Sequence, residues 1–284
     1  MGQLALAAKI THVPSMYLSE LPGARQGTRQ DAIDGHKEIG RRCRELGVDT
    51  LVVFDTHWLV NATYHLNCAP RWQGTYTSNE LPHFISNMAY GFNGNPELGR
   101  LLAQVCNEQG VETLAHDATS LQPEYGTLVP MRYMNPEADL KVVSVAAYCT
   151  VHSFESSRRL GAAIRKAIEA SDSRVLLVAS GSLSHKIWEN ELYEANNGTF
   201  TISREFNRQV DLRVLELWEK GEIATFLNML PDYAHHCTGE GTMHDTFMLF
   251  GALGWDRYPG RGEIVGEYFP SSGTGQANVI FPVC

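Results

Sequence analysis

Short apolar runs alternate along the chain with longer segments that are apolar on one side only. There are five such runs, and several of them lack the polar alternation of a half-exposed strand, which is typical of strands covered on both faces. They span residues 4–10, 50–54, 111–114, 141–147 and 174–179. The pattern therefore predicts five buried strands separated by other elements.

The segments between these runs carry the periodicity and the end signals of helices. Pro96 follows Asn95 at the first helical position, where its missing N–H is not needed, and Gly110 ends that segment. Ser153 is a capping residue in front of a second amphipathic run. Helices are therefore predicted over residues 31–46, between Pro96 and Gly110, after Ser153 and from Ser203.

The alternation of strands and helices predicts the fold class. Strand–helix–strand repeats build a mostly parallel central sheet with helices on both faces. Residues 263–269 and 277–283 read as additional C-terminal strands. Because 284 residues are compatible with one α/β domain and no linker or repeat interrupts the chain, we predict a single domain over residues 1–284.

Composition and charge exclude several classes of partner. The net charge of −9 and a pI near 5.6 argue against nucleic acid, which needs a basic surface. Few charged residues and 43% hydrophobic residues exclude a disordered chain. No apolar run reaches the length of a membrane span, so we expect no membrane partner.

The cysteines and the first residues predict a cytoplasmic protein. The six cysteines are far apart and form no C-x-x-C pair, so neither a zinc ribbon nor a disulfide scaffold is expected. The short apolar segment at residues 4–8 has no basic residue before it, unlike a signal peptide. Reduced cysteines in the cytoplasm are the simplest interpretation.

Four of the eleven histidines follow predicted strands. His12, His57, His116 and His185 each come shortly after one of the apolar runs. In open α/β sheets, ligands bind beyond the carboxyl ends of the strands. If these strands are parallel neighbours, the four imidazoles converge on one metal or acid–base site.

Two histidines and a carboxylate can hold more than one kind of metal. This ligand set occurs in non-haem Fe(II) oxygenases, which keep coordination positions open for substrate and O₂. Hydrolytic zinc sites use the same ligands, and spacing does not separate the two. The chain has no H-E-x-x-H, G-x-S-x-G or P-loop motif, which disfavours the commonest zinc peptidases, serine hydrolases and nucleotide-binding proteins.

Four segments, taken in order, resemble the class III extradiol ring-cleaving dioxygenases, the protocatechuate 4,5-dioxygenase beta-subunit superfamily. They are Thr-His-Val-Pro at 11–14, Asp-Thr-His at 55–57, Ser-Gly-Ser-Leu-Ser-His at 180–185, and Gly-Glu-Gly at 239–241 before an apolar helix. The resemblance covers almost the whole chain. It implies an enzyme that binds Fe(2+), a small-molecule catechol and O₂.

The resemblance also implies a set of metal ligands. By position, His12 and His57 are the two histidine ligands, and Glu240 is the carboxylate. The ligand glutamate of the family lies nearer the start of the apolar helix, where this chain has Met243. Asp245 is therefore the alternative carboxylate ligand.

The resemblance assigns acid–base roles as well. His185 takes the position of the catalytic imidazole, whose pKa near 6.5 suits a group that accepts and returns a proton. Where relatives carry a second catalytic histidine, in Asp-His-Gly, this chain reads Glu-Tyr-Gly and has Tyr125. A phenol can donate a hydrogen bond but is a poor base at neutral pH. The missing histidine is therefore expected to be replaced either by Tyr125 or by His116, nine residues earlier.

The resemblance is strongest to enzymes whose catechol carries a carboxylate, and 3,4-dihydroxyphenylacetate is the expected substrate. Arg25, Arg29 and Lys186 lie near the motifs and are the candidates for binding its carboxylate. A homo-oligomer is expected. The alternatives are a zinc-dependent hydrolase on the same site and a non-enzymatic binding protein like the Memo proteins, which share this fold.

Overall fold

The structure, a computed structural model, describes residues 1–283. Its strands are β1 Gln3–Ile10, β2 Thr50–Val60, β3 Tyr64–Asn67, β4 Arg71–Tyr76, β5 Met88–Asn93, β6 Thr113–His116, β7 Lys141–Cys149, β8 Arg174–Ser180, β9 Glu263–Ile264, β10 Phe269–Ser271, β11 Thr274–Gln276 and β12 Val279–Pro282. Its α-helices are α1 Ser15–Glu20, α2 Gln30–Glu45, α3 Pro96–Glu108, α4 Tyr125–Met134, α5 Phe154–Ala170, α6 Asn190–Tyr193, α7 Glu205–Lys220, α8 Ile223–His236 and α9 His244–Leu253.

Eight strands form one sheet in the order β6-β3-β7-β2-β8-β1-β12-β9. The four central strands, β7, β2, β8 and β1, are parallel to one another. The C-terminal strand β12 joins β1 in the antiparallel direction. The predicted fold class, a mostly parallel sheet with C-terminal strands, is therefore confirmed.

Helices cover both faces of the sheet, as the unbroken apolar runs predict. Leu51 and Val53 of β2 point into a core shared with α2 and α4, whereas Val52 and Phe54 point into the opposite core. That second core is built mainly from α3, α5, α8 and α9. Because successive side chains of a strand point to opposite faces, each central strand stabilises both layers.

Two of the predicted helix starts are confirmed in atomic detail. The side chain of Asn95 accepts a hydrogen bond from the N–H of Leu98 at 3.1 Å, and Ser153 accepts one from Ser156 at 3.1 Å. These bonds satisfy N–H groups that a helix leaves free at its first turn. The helix expected from Ser203 begins at Glu205 instead.

The edge of the sheet corrects the expectation for His116. β3 pairs with β7 in the antiparallel direction, and β6 is parallel to β3. The end of β6 therefore points away from the edge where the central strands end. His116 lies beside His65, with Nδ1 of His65 at 2.8 Å from Nε2 of His116. Its predicted convergence with the other three histidines is wrong.

None of the helices among residues 1–283 is long and apolar enough to cross a membrane. Five cysteines of the described part of the chain are buried and free, as the sequence predicts; Cys284 lies outside the described residues.

Candidate active site

His12, His57 and Glu240 meet at the carboxyl ends of the central strands. His12 follows β1, and His57 lies in β2; both strands flank β8. Nε2 of His12 is 3.0 Å from Oε1 of Glu240, and Nε2 of His57 is 3.1 Å from the same oxygen. The three donor atoms lie within 4.8 Å of one another. This is the spacing at which one metal ion can contact all three groups.

A serine at the end of β8 orients the ring of His12. The Ser180 hydroxyl donates to the carbonyl of Gly126 at 2.5 Å, so its oxygen accepts a hydrogen bond from the N–H at Nδ1 of His12 at 2.9 Å. Nε2 of His12 is therefore the nitrogen that faces Glu240 and that would bind a metal ion after losing its own proton. A second hydrogen bond of this kind orients histidine ligands in metal sites generally.

His57 is held through the backbone of β2. The pairing of β2 with β7 shifts register between Asp55 and Leu59, in the stretch that contains His57. Asp55 accepts the N–H of His57 at 2.8 Å and the Thr127 hydroxyl at 2.6 Å. These bonds tie the irregular stretch to α4 and point the imidazole into the site.

Glu240 is a buried carboxylate with donors on both oxygens. Oε1 accepts the Thr56 hydroxyl at 2.9 Å, and Oε2 accepts the N–H of Ser182. Burial alone would raise the pKa of Glu240. When His12 and His185 carry a second proton, their charges lower it, as do the hydrogen bonds from His12 and His57; these effects exceed that of burial, so the pKa lies well below its usual range. The group is therefore an anion suited to a divalent cation.

The backbone before α9 explains why Glu240, rather than a residue of the helix, reaches the histidines. Thr238, Gly241, Thr242 and Met243 all have positive φ, between 49° and 62°. This left-handed stretch folds Glu240 back towards β1 and β2. The Met243 side chain is buried in the apolar core.

Asp245, the alternative ligand, is engaged elsewhere. It is fully buried and forms an ion pair with Lys9 of β1, which is also buried. A buried carboxylate paired with a cation has its charge compensated there. The structure brings Glu240, and not Asp245, to the two histidines.

His185 and Tyr125 line one cavity with the three candidate ligands. Burial lowers the pKa of His185; the charge of Glu240 raises it, and those of His57 and His12 lower it again, with a net lowering. The imidazole is therefore neutral at neutral pH and able to accept a proton. Burial and the nearby Glu240 charge raise the pKa of Tyr125, so the phenol keeps its proton.

Replacing Tyr125 by phenylalanine is expected to slow turnover while metal content stays unchanged. Tyr125 lines the cavity, and its ring lies 3.9 Å from the His57 ring, centroid to centroid. Phenylalanine keeps this ring contact and removes only the hydroxyl. Losing a donor aimed at a developing oxyanion costs about 3 kcal/mol. Steady-state kinetics and metal analysis measure the two effects. A variant as fast as the parent would show that Tyr125 contributes only to packing.

The three candidate cations lie in different environments. Arg25 lines a wider cavity of about 430 Å³ that adjoins the metal cavity. Arg29 is buried and donates to the Ser15 hydroxyl and the Thr199 carbonyl. Lys186 is exposed and lines neither cavity, so the structure does not bring it to the site. The two cavities share Pro14, Glu80, Leu81, Ile187, Ser271 and Ser272.

Sequence reasoning missed the residues that support the ligands. Thr56, Ser180 and Ser182 hold His12 and Glu240 in place, as their hydrogen bonds show. All three lie inside the motifs around the predicted ligands. Their hydroxyl and backbone donors could have been proposed from that position, but their partners depend on the packing of strands distant in sequence.

The fold and the site define an α/β protein with a candidate metal site at the carboxyl ends of its central strands. The chain belongs to the family of catalytic LigB subunits of aromatic ring-opening dioxygenases, whose model matches residues 6–282. It is 60% identical, over 92% of its length and 94% of the relative, to a 3,4-dihydroxyphenylacetate 2,3-dioxygenase of Escherichia coli. Membership of this family supports a dioxygenase over the zinc hydrolase and the Memo-like binding protein.

Two further likenesses are weaker. The chain is 26% identical, over 78% of its length and 76% of the relative, to the 2-aminophenol 1,6-dioxygenase beta subunit of a Pseudomonas species. An uncharacterized protein of Escherichia coli K12 has a similar solved structure, with a TM-score of 0.63 and 13% identity over 97% of this chain and 99% of that one. This last likeness concerns the fold alone.

Proposed function

We propose that the chain cleaves the ring of 3,4-dihydroxyphenylacetate next to its hydroxyl pair. The product is 5-carboxymethyl-2-hydroxymuconate semialdehyde, which contains both atoms of O₂. The observation that carries the proposal is the 60% identity to an enzyme named for this substrate, over nearly the full chain. The cluster of His12, His57 and Glu240, with His185 in the same cavity, supports it.

Iron(II) is the metal that we propose for this cluster. Two neutral imidazoles and one carboxylate are the ligand set of non-haem iron oxygenases and leave other coordination positions open. When bound, the metal supplies the redox chemistry that lets a catechol react with O₂. His12, His57 and Glu240 would hold it, since their three donor atoms lie together and the bond of Nδ1 of His12 to Ser180 leaves Nε2 as the ligating nitrogen.

His185 is the proposed proton carrier. Opening of the ring would require that the catechol loses a hydroxyl proton and that a proton returns to the oxygen that enters from O₂. The lowered pKa of His185, caused first by burial, keeps the imidazole ready for the first of these transfers. The Tyr125 hydroxyl, which stays protonated, is proposed to donate a hydrogen bond to the substrate or to oxygen.

Arg25 is the proposed partner of the substrate carboxylate. Its guanidinium lies over the Phe200 ring at 5.1 Å and faces the wider cavity that opens from the metal site. Arg29 lies over Phe200 and Phe269 at 5.1 and 4.9 Å, and none of its hydrogen-bond partners among the described residues is a carboxylate. Arg25 and Arg29 bring two positive charges to Phe200, whereas Glu80 and Glu194 also line the cavity, so we expect the anion to bind on the Arg25 side.

Replacing Arg25 by glutamine is expected to raise the KM for 3,4-dihydroxyphenylacetate about 10-fold or more, since a charge-assisted hydrogen bond contributes about 1.5–3 kcal/mol. The KM for 4-methylcatechol, which has no carboxylate, should stay unchanged. Arg71→Gln, at an arginine paired with Asn93 on the β4–β5 hairpin, is the matched control. An equal rise for both catechols would contradict the role of Arg25.

The proposed activity is tested by loading the metal-free protein with Fe(II) under reducing conditions and adding 3,4-dihydroxyphenylacetate. We expect one O₂ consumed per catechol and a yellow ring-opened product. Parallel loading with zinc should give no O₂ uptake. If neither metal supports O₂ uptake with this or any other catechol, the proposal fails. The cytoplasmic location and the homo-oligomer stay predictions from the sequence.

A further inference from the structure

Helix α7 carries two buried polar side chains on the face that it turns towards His185. Asn207 and Asp211 are four residues apart, so they lie one above the other on the helix. Both are fully buried, although the rest of this face is apolar. Burying such groups costs stability unless they are hydrogen-bonded. Their partners therefore indicate what they are for.

Asp211 accepts four hydrogen bonds from neutral donors. One oxygen accepts the N–H of Ser184 at 3.2 Å and the Tyr233 hydroxyl at 2.7 Å. The other accepts the Ser184 hydroxyl at 2.7 Å and the Tyr268 hydroxyl at 2.8 Å. Two of the four bonds thus go to Ser184, the residue that directly precedes His185.

Asn207 supports the other side of the same turn. Its amide donates to the carbonyl of Cys237 at 3.2 Å, and that carbonyl also accepts the N–H of His185 at 3.2 Å. The backbone of His185 is therefore held on one side through Ser184 and on the other through Cys237. Both connections lead to α7.

The turn is also fixed against β11. Leu183 donates to the carbonyl of Gly275 at 2.9 Å, and Gly275 donates to the carbonyl of Ser184 at 3.0 Å. A Cβ at Gly275 would lie 1.9 Å from a carboxylate oxygen of Asp211, so only glycine allows this close approach. Asp211 thus fills the space between helix, turn and strand completely.

The imidazole of His185 has no hydrogen bond from any of residues 1–283 in the structure. By contrast, His12 is oriented through Ser180. The direction of the His185 ring therefore depends on its backbone and on packing. Proton transfer requires correct placement within hydrogen-bond reach, so the backbone support is functionally important.

We propose that Asp211, assisted by Asn207, is a positioning residue that sets the orientation of His185 for proton transfer. The proposal rests on the role of His185 given under Proposed function. Asp211 does not line the cavity of the candidate ligands, and its hydrogen bonds go to Ser184, Tyr233 and Tyr268. Its effect on the reaction passes through Ser184 and the turn.

A double-mutant cycle of Asp211→Asn and His185→Ala tests this coupling. Asparagine keeps the shape but replaces one acceptor oxygen by a donor. We expect the single variant Asp211→Asn to keep its metal, its KM for the catechol and its folded spectrum, while kcat falls about 10- to 100-fold, the usual range for supporting residues. In the His185→Ala background the same change should have almost no further effect, because coupled residues are not additive.

Each outcome has a separate meaning. If His185→Ala itself leaves kcat unchanged, the role of His185 is wrong, whatever Asp211 does. If His185→Ala lowers kcat but Asp211→Asn lowers it additively, or not at all, the positioning role is overturned.

Ser184→Ala decides the question if Asp211→Asn does not fold. This variant removes one hydrogen bond to Asp211 and should lower kcat about 3- to 10-fold, as expected for a neutral hydrogen bond. Ser157→Ala is the matched control, because Ser157 is equally buried and bonded to Tyr64 and His244, away from the turn. Equal kcat values for Ser184→Ala and the parent would overturn the proposal.

Discussion

Alanine at His12 or at His57 is expected to remove nearly all bound metal and nearly all activity while the fold survives. Each histidine is one of three candidate ligands, the third being Glu240, whose Oε1 lies within 3.1 Å of both imidazoles. With one histidine removed, the remaining two ligands hold the ion only weakly. Neither histidine belongs to the apolar cores that stabilise the sheet. Metal analysis after gel filtration, with circular dichroism for the fold, measures both effects.

Variants of Glu240 and Asp245 show which of the two carboxylates binds the metal. Glu240→Gln keeps the volume of the side chain but removes its charge, and should lose metal like the histidine variants. Asp245→Asn disturbs the ion pair with Lys9 and should instead lower stability. Full metal content in His12→Ala, His57→Ala and Glu240→Gln would show that the metal binds elsewhere.

Replacing His185 by alanine is expected to lower kcat by about 10²- to 10⁴-fold, the usual contribution of a general acid–base group. Metal content should be unchanged, because His185 lines the cavity without belonging to the cluster of candidate ligands. Stopped-flow measurement of ring cleavage should place the loss in the proton-dependent steps.

His116→Ala is the control for this experiment. His116 lies at the sheet edge beside His65, so its removal should leave turnover intact. A loss of metal in His185→Ala as large as that in His12→Ala would mean that His185 is a ligand. A loss of turnover in His116→Ala would restore it as the second proton carrier.

The sequence alone predicts the central sheet and the position of the site. Apolar runs without alternation indicate strands covered on both sides, and β1, β2, β7 and β8 all lie within about three residues of the predicted starts. Polar residues directly after such strands mark the edge where ligands bind. That reasoning places His12, His57 and His185 correctly in one cavity.

The direction of an edge strand is not encoded locally. β6 follows an amphipathic helix just as the parallel strands do. The sequence pattern therefore predicts that His116 lies at the same edge as the other strand-end histidines. The sequence does not show that the short strand β3 pairs with β7 in the antiparallel direction. Because β6 is parallel to β3, β6 also runs opposite to the central strands. Long-range pairing of this kind depends on the whole sheet.

Two other features could not be predicted from the sequence: the position of Glu240 beside the histidines and the role of Asp211. Threonine and methionine rarely adopt positive φ, so the positive φ values of Thr238, Thr242 and Met243 contradict local preference. A single aspartate in an amphipathic helix reads as solvent-exposed. Only the packing of α7 against the turn shows that Asp211 is buried and fully bonded.

The two walls of the site come from different parts of the molecule, and this separation affects how new substrate ranges can arise. His57 and Ser180 belong to strands at the centre of the sheet and His12 directly follows one, whereas Arg25, Glu80 and Ile187 come from segments that connect strands and helices. Insertions and exchanges are tolerated best in such segments. Directed evolution confined to residues 21–29 and 187–200 should therefore change which catechols are accepted while the oxygen chemistry is inherited intact.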